Sequence, residues 1–234
     1  MIERNKRKIR IAFWAAATLL FLLLGISRPL LQLSESMTWT LFWVLCALTL
    51  IAWYLINQLW YLEFRKTVGA LLPILTEEKD PDRYIAENEK LLVGKKAEQI
   101  KGILRMNICA AYCEKGDYST AKEQLLALRP QKLYGIQRVA YLADLAYVYF
   151  YLDQKAEALD VMAQNKKGLS DFAQSPHLGG LIAVLQIFEL LARGNVDEAK
   201  EALEKARERW PDSRCESDFL ALEQKLHARE SGNA

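Results

Sequence analysis

The sequence predicts an all-α protein in which a two-helix transmembrane hairpin is followed by an α-solenoid of antiparallel helix pairs. Two long uncharged apolar runs lie within the first 62 of the 234 residues, and most of the charge follows them. Helix-start signals then recur along the chain, whereas no convincing alternation of apolar and polar residues indicates a strand. We therefore expect two parts, a membrane part over residues 1–62 and a helical part over residues 63–234.

Each of the two apolar runs, residues 11–26 and residues 37–62, is free of charged side chains. A helix that crosses a hydrocarbon core of ~30 Å needs ~20 apolar residues. The second run meets this length, whereas the first meets it only if its helix continues past Pro29, which the sequence leaves open. The expected spans are about 11–33 and 38–62. A cleaved signal peptide is disfavoured because a second apolar run follows, and two successive core helices without a polar face are equally disfavoured.

The charge on either side of the spans predicts their orientation. The first ten residues contain five basic side chains and one acidic one, and Arg65 and Lys66 follow the second run. The connecting loop holds only Arg28 and Glu35 as charged residues. Because basic flanks stay in the cytoplasm, we expect a multi-pass protein of the cell (inner) membrane with both termini in the cytoplasm.

The helical part is expected to be a series of short helices joined by tight reversals. Asp80 before Pro81 and Ser175 before Pro176 are typical helix starts, because the side-chain oxygen accepts from a free amide and proline fits the first turn. Pro73 would kink the first helix of this part. The expected helices are 64–77, 81–93, 95–114, 118–128, 134–152, 155–165, 176–193, 195–209 and 213–229.

Three segments of the helical part share one template, and they are residues 107–128, 144–162 and 186–211. Each has apolar residues of one helix, a short polar reversal and an alanine early in the next helix. These alanines are Ala121, Ala158 and Ala199. Because one helix hairpin cannot bury its apolar face alone, hairpins of this kind stack side by side. The small alanine is expected where the paired helices approach closely.

Further residues of these segments fit a known repeat pattern. They are Ile108, Cys109, Tyr112, Gly116, Asp117, Tyr118, Ala121 and Leu125 in the first segment, Leu142, Leu145, Ala146, Tyr149 and Ala158 in the second, and Gly194, Ala199, Leu203, Ala206 and Pro211 in the third. On these residues the segments resemble the tetratricopeptide repeat family, with Asp153 where glycine is usual and Ile187 where a small residue is usual. The layout also resembles bacterial two-span membrane proteins with a cytoplasmic tetratricopeptide-like domain, in which helix 213–229 would be a C-terminal cap.

The resemblance implies an interaction groove. In tetratricopeptide proteins, the first helices of successive pairs line a concave groove that binds peptides or helices. Carried over to this sequence, the groove residues are Met106, Ala110, Cys113, Ala143, Tyr147, Phe150, Tyr151, Val184, Phe188 and Leu191. This face is apolar and aromatic, which is typical of interaction sites. The alternative is that helix 213–229 or helix 81–93 covers the face and makes it part of the core, and both interpretations stay open at this point.

Patterns that would indicate catalysis or cofactor binding are scarce. Cys109 and Cys113 have a spacing that can bind metal, but His177 and His227 are isolated in the sequence, and we expect both cysteines to be small core residues. Gly-rich phosphate loops, nucleophile elbows and Walker patterns do not occur in the sequence. We therefore expect no enzyme, no cofactor, no metal and no small-molecule substrate. Acidic residues slightly outnumber basic ones from Glu63 onward, so nucleic-acid binding is not expected either.

These patterns together predict a membrane-anchored cytoplasmic module for protein–protein interaction or scaffolding, without catalytic activity. Its expected partners are the lipid bilayer, through the two spans, and a protein or peptide in the cytoplasm. The alternative is a structural or accessory subunit of a membrane protein complex that assembles through the transmembrane helices.

Overall fold

The computed structural model describes residues 2–94, 96–211 and 215–232. Within these residues every regular element is a helix and no strand forms, so the predicted all-α class is confirmed. The chain divides into two compact units after Gly69. In each unit, helices that follow one another along the chain pack against each other.

The first unit consists of two long helices, α1 (Ile2–Leu30) and α2 (Glu35–Gly69). Both are long and apolar enough to cross a membrane. Helix α1 includes Pro29 and ends directly after it. The backbone still bonds from the Leu31 amide to the Ser27 carbonyl, and Gln32 then takes a positive φ of 48°, so the helix ends before the expected residue 33.

Aromatic contacts hold α1 and α2 side by side in opposite directions. The ring centroids of Trp14 and Trp53 are 5.5 Å apart, and those of Phe21 and Phe42 are 5.4 Å apart. Large apolar side chains of both helices are exposed in this unit, with Trp43 exposed by 65%. Such a surface suits contact with lipid or with other apolar helices.

The expected helix over residues 64–77 is wrong. Helix α2 continues without interruption through Gly69, and a separate short helix, α3 (Leu72–Thr76), follows it. Pro73 lies in the first turn of α3, where its missing amide hydrogen costs no hydrogen bond. The proline therefore starts a new helix instead of kinking an existing one.

The second unit begins with α3, and its further helices follow the expected order with one addition. They are α4 (Pro81–Leu92), α5 (Glu98–Glu114), α6 (Tyr118–Leu126), α7 (Ile136–Tyr151), α8 (Lys155–Gln164), α9 (Lys166–Phe172), α10 (Gly179–Arg193), α11 (Val196–Arg209) and α12 (Glu216–Gly232), with a 3-10 turn at Pro130–Lys132. Helix α9 was not expected, and α10 begins later than residue 176. Ser213, the expected start of the last helix, lies outside the described residues.

Helices of the second unit pack as neighbouring pairs: α4 against α5, α5 against α6, α7 against α8 and α10 against α11. The first helices of successive pairs, α5, α7 and α10, are also neighbours. Ala121, Ala158 and Ala199, each early in the second helix of a pair, are fully buried. Their small side chains let the paired helices approach closely.

The backbone takes positive φ values where each pair reverses direction. Gly116 (φ 73°) and Gly194 (φ 84°) do so without a steric penalty because glycine has no Cβ. The second pair has Asp153 with φ 58° at this point. Aspartate is one of the few non-glycine residues that tolerate the left-handed region, which explains how this pair reverses without the usual glycine.

Candidate functional site

The ten predicted groove residues lie on the three neighbouring first helices, and we call the side that carries them the inner face. Helix α5 carries Met106, Ala110 and Cys113; α7 carries Ala143, Tyr147, Phe150 and Tyr151; α10 carries Val184, Phe188 and Leu191. Their surroundings divide the inner face into two halves. The covered half comprises the residues of α7 and α10, and the open half is formed by the residues of α5.

Helix α12 packs on α10 and α11 and closes the covered half. Its apolar residues Phe219, Leu222 and Leu226 are buried, and they share one hydrophobic cluster with the buried residues of α7 and α10. Within this cluster the rings of Phe150 and Phe188 are stacked, with centroids 5.0 Å apart and planes 11° from parallel. Phe150 is only 6% exposed. This part of the predicted groove is therefore filled by the chain's own last helix.

A polar contact joins α12 to α7 within the same region. The hydroxyl groups of Tyr147 and Tyr151 both donate to one carboxylate oxygen of Asp218, over 2.7 Å and 2.5 Å. Tyr118, at the start of α6, stacks on Tyr151 with 4.4 Å between ring centroids. We call Tyr118, Tyr147 and Tyr151 the tyrosine cluster. Asp218 is the acceptor that two of its members require.

Burial raises the pKa values of the groups in this contact. It raises the pKa of the Asp218 carboxyl, and the hydrogen bonds from Tyr151 and Tyr147 offset part of that rise. Burial, together with the Asp218 charge, also raises the pKa of Tyr147 and Tyr151. Burial is the main cause that raises the pKa of Tyr118 to about 12. The tyrosines therefore stay protonated at neutral pH and remain donors to Asp218.

Two charged contacts flank α12. The Lys225 ammonium lies 4.9 Å from the ring centroid of Phe188 and 5.3 Å from that of Tyr151, which is a cation–π arrangement. On the other side, the Arg207 guanidinium of α11 donates to Glu223 over 3.1 Å and 3.2 Å. Beside Lys225 lies a cavity of about 250 Å³, lined by Phe150, Asp153, Lys155, Phe188, Leu191, Ala192 and Lys225.

The open half has different surroundings. Ala110 is exposed, and Met106 and Cys113 are partly buried. Met106 and Cys113 pack on a second hydrophobic cluster, whose buried members come from α5, α6, α7 and the segment between α6 and α7. Among the described residues, no α12 side chain belongs to that second cluster. The described residues of the last helix therefore add no apolar side chain to the α5 side of the inner face.

The paired cysteines of α5 lie at the base of the open half. Cys109 is buried, and its hydrogen bond with the Cys113 thiol, followed by burial, raises its pKa. A thiol with a raised pKa is a poor nucleophile, because the thiolate is the reactive form. In the part of the chain that the structure describes, no group of three His, Cys, Asp or Glu side chains is arranged to hold a metal ion.

Sequence reasoning missed two carboxylates of this region, Asp218 and Asp144. Asp218 directly precedes Phe219 on the buried side of α12. An acidic residue beside an apolar stripe is therefore the sequence pattern that could have indicated its role. Asp144 is three residues before Tyr147 and seven before Tyr151, a spacing that places all three on one side of a helix. Burial raises the pKa of Asp144 to about 7.

Comparison with protein-family models, with curated proteins and with solved structures finds no match for this chain. The tetratricopeptide resemblance therefore stays a prediction based on the residues quoted above. The geometry itself presents an inner face with one half covered by an amphipathic helix of the same chain and one half uncovered. Such a face can bind a helix, since it already does so within the molecule.

Proposed function

We propose that this protein is a membrane-tethered interaction module without catalytic activity of its own, and that the inner face of its helical repeat binds an amphipathic helix of a partner. One observation above all supports this proposal. Helix α12 already lies on the covered half, with Phe219, Leu222 and Leu226 buried there. An amphipathic helix in an apolar groove is a common mode of protein recognition.

The contacts of α12 define what the inner face accepts. The three apolar residues of α12 follow the i, i+3, i+7 spacing of a helix-in-groove ligand. Asp218 adds direction, because its carboxylate accepts from both Tyr147 and Tyr151. The face therefore combines apolar area, which provides affinity, with polar groups that set the register of a bound helix.

The membrane tether is the second element of the proposal. Two helices of the first unit have the length and hydropathy of membrane spans. At one end of the helix pair, Arg10 lies 5.3 Å and Lys6 5.8 Å from the Trp60 ring, and basic and aromatic groups together are typical of a cytoplasmic interface. A tethered module confines its partner to the membrane surface and raises the effective concentration there.

In-cell crosslinking tests the module. We would compare the wild-type chain with Ala110→Glu, which places a charge on the open half, and with Leu126→Glu on α6 as a matched control. Ala110 and Leu126 are both exposed, so neither change puts a charge into the core. We expect one crosslinked partner that is lost with Ala110→Glu and kept with Leu126→Glu. Equal capture by all three chains, or no specific partner, would contradict the proposal.

Orientation needs its own measurement. With both termini in the cytoplasm, a reporter that is active only outside the membrane should be silent at the C-terminus and active when inserted between Leu30 and Glu35. An active C-terminal reporter would place the repeat unit on the other side of the membrane and would exclude a cytoplasmic partner.

A second candidate function is a structural subunit that assembles through its spans. The exposed aromatic and aliphatic surface of α2, which includes Trp43, favours it. Replacing the first unit by an unrelated two-span anchor separates the two proposals. A module acting through its inner face keeps its crosslinked partner after the exchange, whereas a subunit held by its spans loses its complex.

A further inference from the structure

A carboxylate that has no hydrogen-bond or ion-pair partner among the described residues lies at the edge of the open half. Helix α7 carries Ala140, Asp144, Tyr147 and Tyr151 along one side, at the i, i+4, i+7 and i+11 positions. Helix α12 engages the last two through Asp218. Asp144 is one turn closer to the start of α7. No described residue of α12 forms a hydrogen bond or an ion pair with it.

The surroundings of Asp144 make its charge unfavourable. Among the residues that the structure describes, it forms no hydrogen bond and no ion pair, and it is only partly exposed. Burial raises the pKa of its carboxyl, and its charge in turn contributes to the raised pKa of Cys109 on α5. The Asp144 oxygens are not among the enclosed side-chain atoms, so they still reach water and are open to a donor from a partner.

No described side chain donates a hydrogen bond to Asp144. Met106 and Ala110 are apolar, and the thiols of Cys113 and Cys109 are hydrogen-bonded to each other. Two turns before Asp144 on α7, the Oε1 atom of Gln137 is enclosed without a hydrogen-bond donor. Within the described residues, the seam between α5 and α7 thus has acceptors that no donor satisfies. What would complete it is a positively charged donor.

We propose that the open half of the inner face binds a basic amphipathic helix of a partner protein, whose Arg or Lys pairs with Asp144 while its apolar residues cover Met106, Ala110 and Cys113. This inference rests on the proposed interaction function and names the chemistry of the partner. The positive charge of the partner lies beside Asp144. The bound helix lies on the inner face, next to the part of α7 and α10 that α12 covers.

Charge complementarity selects this occupant over others. An acidic helix would place like charges together in a poorly solvated seam, and a wholly apolar helix would bury Asp144 without a donor. Addition of an extended peptide to a sheet is excluded as a binding mode, because it needs an exposed strand and the described residues contain none. A guanidinium satisfies a carboxylate through two parallel hydrogen bonds, so we expect arginine to be preferred over lysine.

A displayed library of 16-residue amphipathic helices, with apolar positions kept as Leu or Ile and all other positions randomised, tests this inference. The full-length protein in nanodiscs is the target. We expect selected peptides to share one Arg or Lys beside the apolar stripe. Their affinity should fall about 10- to 100-fold with Asp144→Asn, as for loss of a charge-assisted hydrogen bond. Asp171→Asn, at an exposed position of α9, is the matched control and should leave binding unchanged.

A double-mutant cycle adds a readout that a general loss of structure would not mimic. Replacing the shared Arg of the best peptide by Gln should weaken binding to the wild-type chain about as much as Asp144→Asn does. The two changes combined should have little more effect than either alone. Circular dichroism of each variant confirms that the helices are intact.

The possible outcomes separate the two levels of the proposal. Peptides that bind and are lost with Ala110→Glu, but carry no shared basic residue or are insensitive to Asp144→Asn, overturn the basic-helix inference and leave the interaction function standing. Failure to select any peptide that depends on the inner face overturns both. Peptides that compete with α12, shown by faster hydrogen exchange of that helix on binding, also overturn the inference, because they occupy the covered half.

Discussion

Tyr147 and Asp218 are 71 residues apart in the chain and are joined by a hydrogen bond of 2.7 Å. This contact fastens the last helix to the middle pair of the repeat. Tyr151 donates to the same oxygen, so Asp218 holds two turns of α7 at once. The contact therefore lies where α12 meets the middle pair, between the covered and the open half of the predicted groove.

Removing the acceptor of this contact should loosen α12. With Asp218→Ala, two partly buried tyrosine hydroxyls lose their acceptor, and leaving a buried polar group unpaired costs about 1–3 kcal/mol. We expect a lower free energy of unfolding and faster hydrogen exchange in α12. Ser217→Ala, at an exposed neighbouring position, is the control. In the Tyr147→Phe, Tyr151→Phe variant, Asp218→Ala should cost clearly less than in the wild type, and equal cost in both backgrounds would contradict the contact.

Phe150 should behave as a core residue. It is 6% exposed and stacked on Phe188, and truncation of a buried phenylalanine costs about 3–5 kcal/mol. We expect Phe150→Ala to lower the unfolding midpoint strongly and Phe150→Glu to prevent folding of the repeat unit. Tyr134→Ala is the control, because that side chain is 64% exposed. Thermal unfolding followed by circular dichroism compares the Phe150 variants with this control. A stable Phe150→Glu variant would show that α12 does not cover this site.

The packing of α10 against the segment before α12 predicts a sensitive glycine. A Cβ added at Gly179 would lie 2.2 Å from the Trp210 ring and 2.8 Å from the carbonyl oxygen of Ala173. The backbone oxygen cannot move as a flexible side chain can, so Gly179→Ala should destabilise the unit by about 1–3 kcal/mol. At Gly69 an added Cβ meets no atom within 4 Å, and Gly69→Ala should leave the unfolding midpoint almost unchanged. A neutral Gly179→Ala variant would contradict the close approach of Trp210.

Much of the second unit could be predicted because its signals are local. Asp80 accepts from the amide of Arg83 at the start of α4, as its position before Pro81 indicated. Helix α9 was missed because it has no such signal: the Asn165 side chain donates back to the carbonyl of Val161 instead of capping α9. The helix therefore begins directly after α8, without a residue pattern that separates the two.

The covered half could not be predicted, because its contacts join distant parts of the chain. The place of helix 213–229 after the last repeat fits a terminal cap and a groove occupant equally well. Only the three-dimensional contacts of Tyr147 and Tyr151 with Asp218 show where that side lies. The same holds for Asp144, because its lack of a hydrogen-bond donor among the described residues is a property of the three-dimensional packing.

The pH dependence of stability should report on Asp144. Burial raises its pKa from an ordinary 3.8 to about 7 in the folded state, and the facing group whose titration feels its charge is the Cys109 thiol on α5. Between these two pKa values the folded chain keeps a proton that the unfolded chain releases. The stabilising contribution is therefore complete below about pH 4 and is lost as the pH rises through about 7.

Replacing Asp144 with asparagine removes this dependence. At about 1.4 kcal/mol per pKa unit, Asp144→Asn should be more stable than the wild type by a few kcal/mol at pH 8, and the difference should shrink towards pH 4. Urea unfolding of the full chain in nanodiscs at several pH values measures it, with Asp171→Asn as the exposed control. If the two chains differ by the same amount at every pH, Asp144 is ordinarily solvated, and the apolar seam between α5 and α7 is not the environment that the geometry indicates.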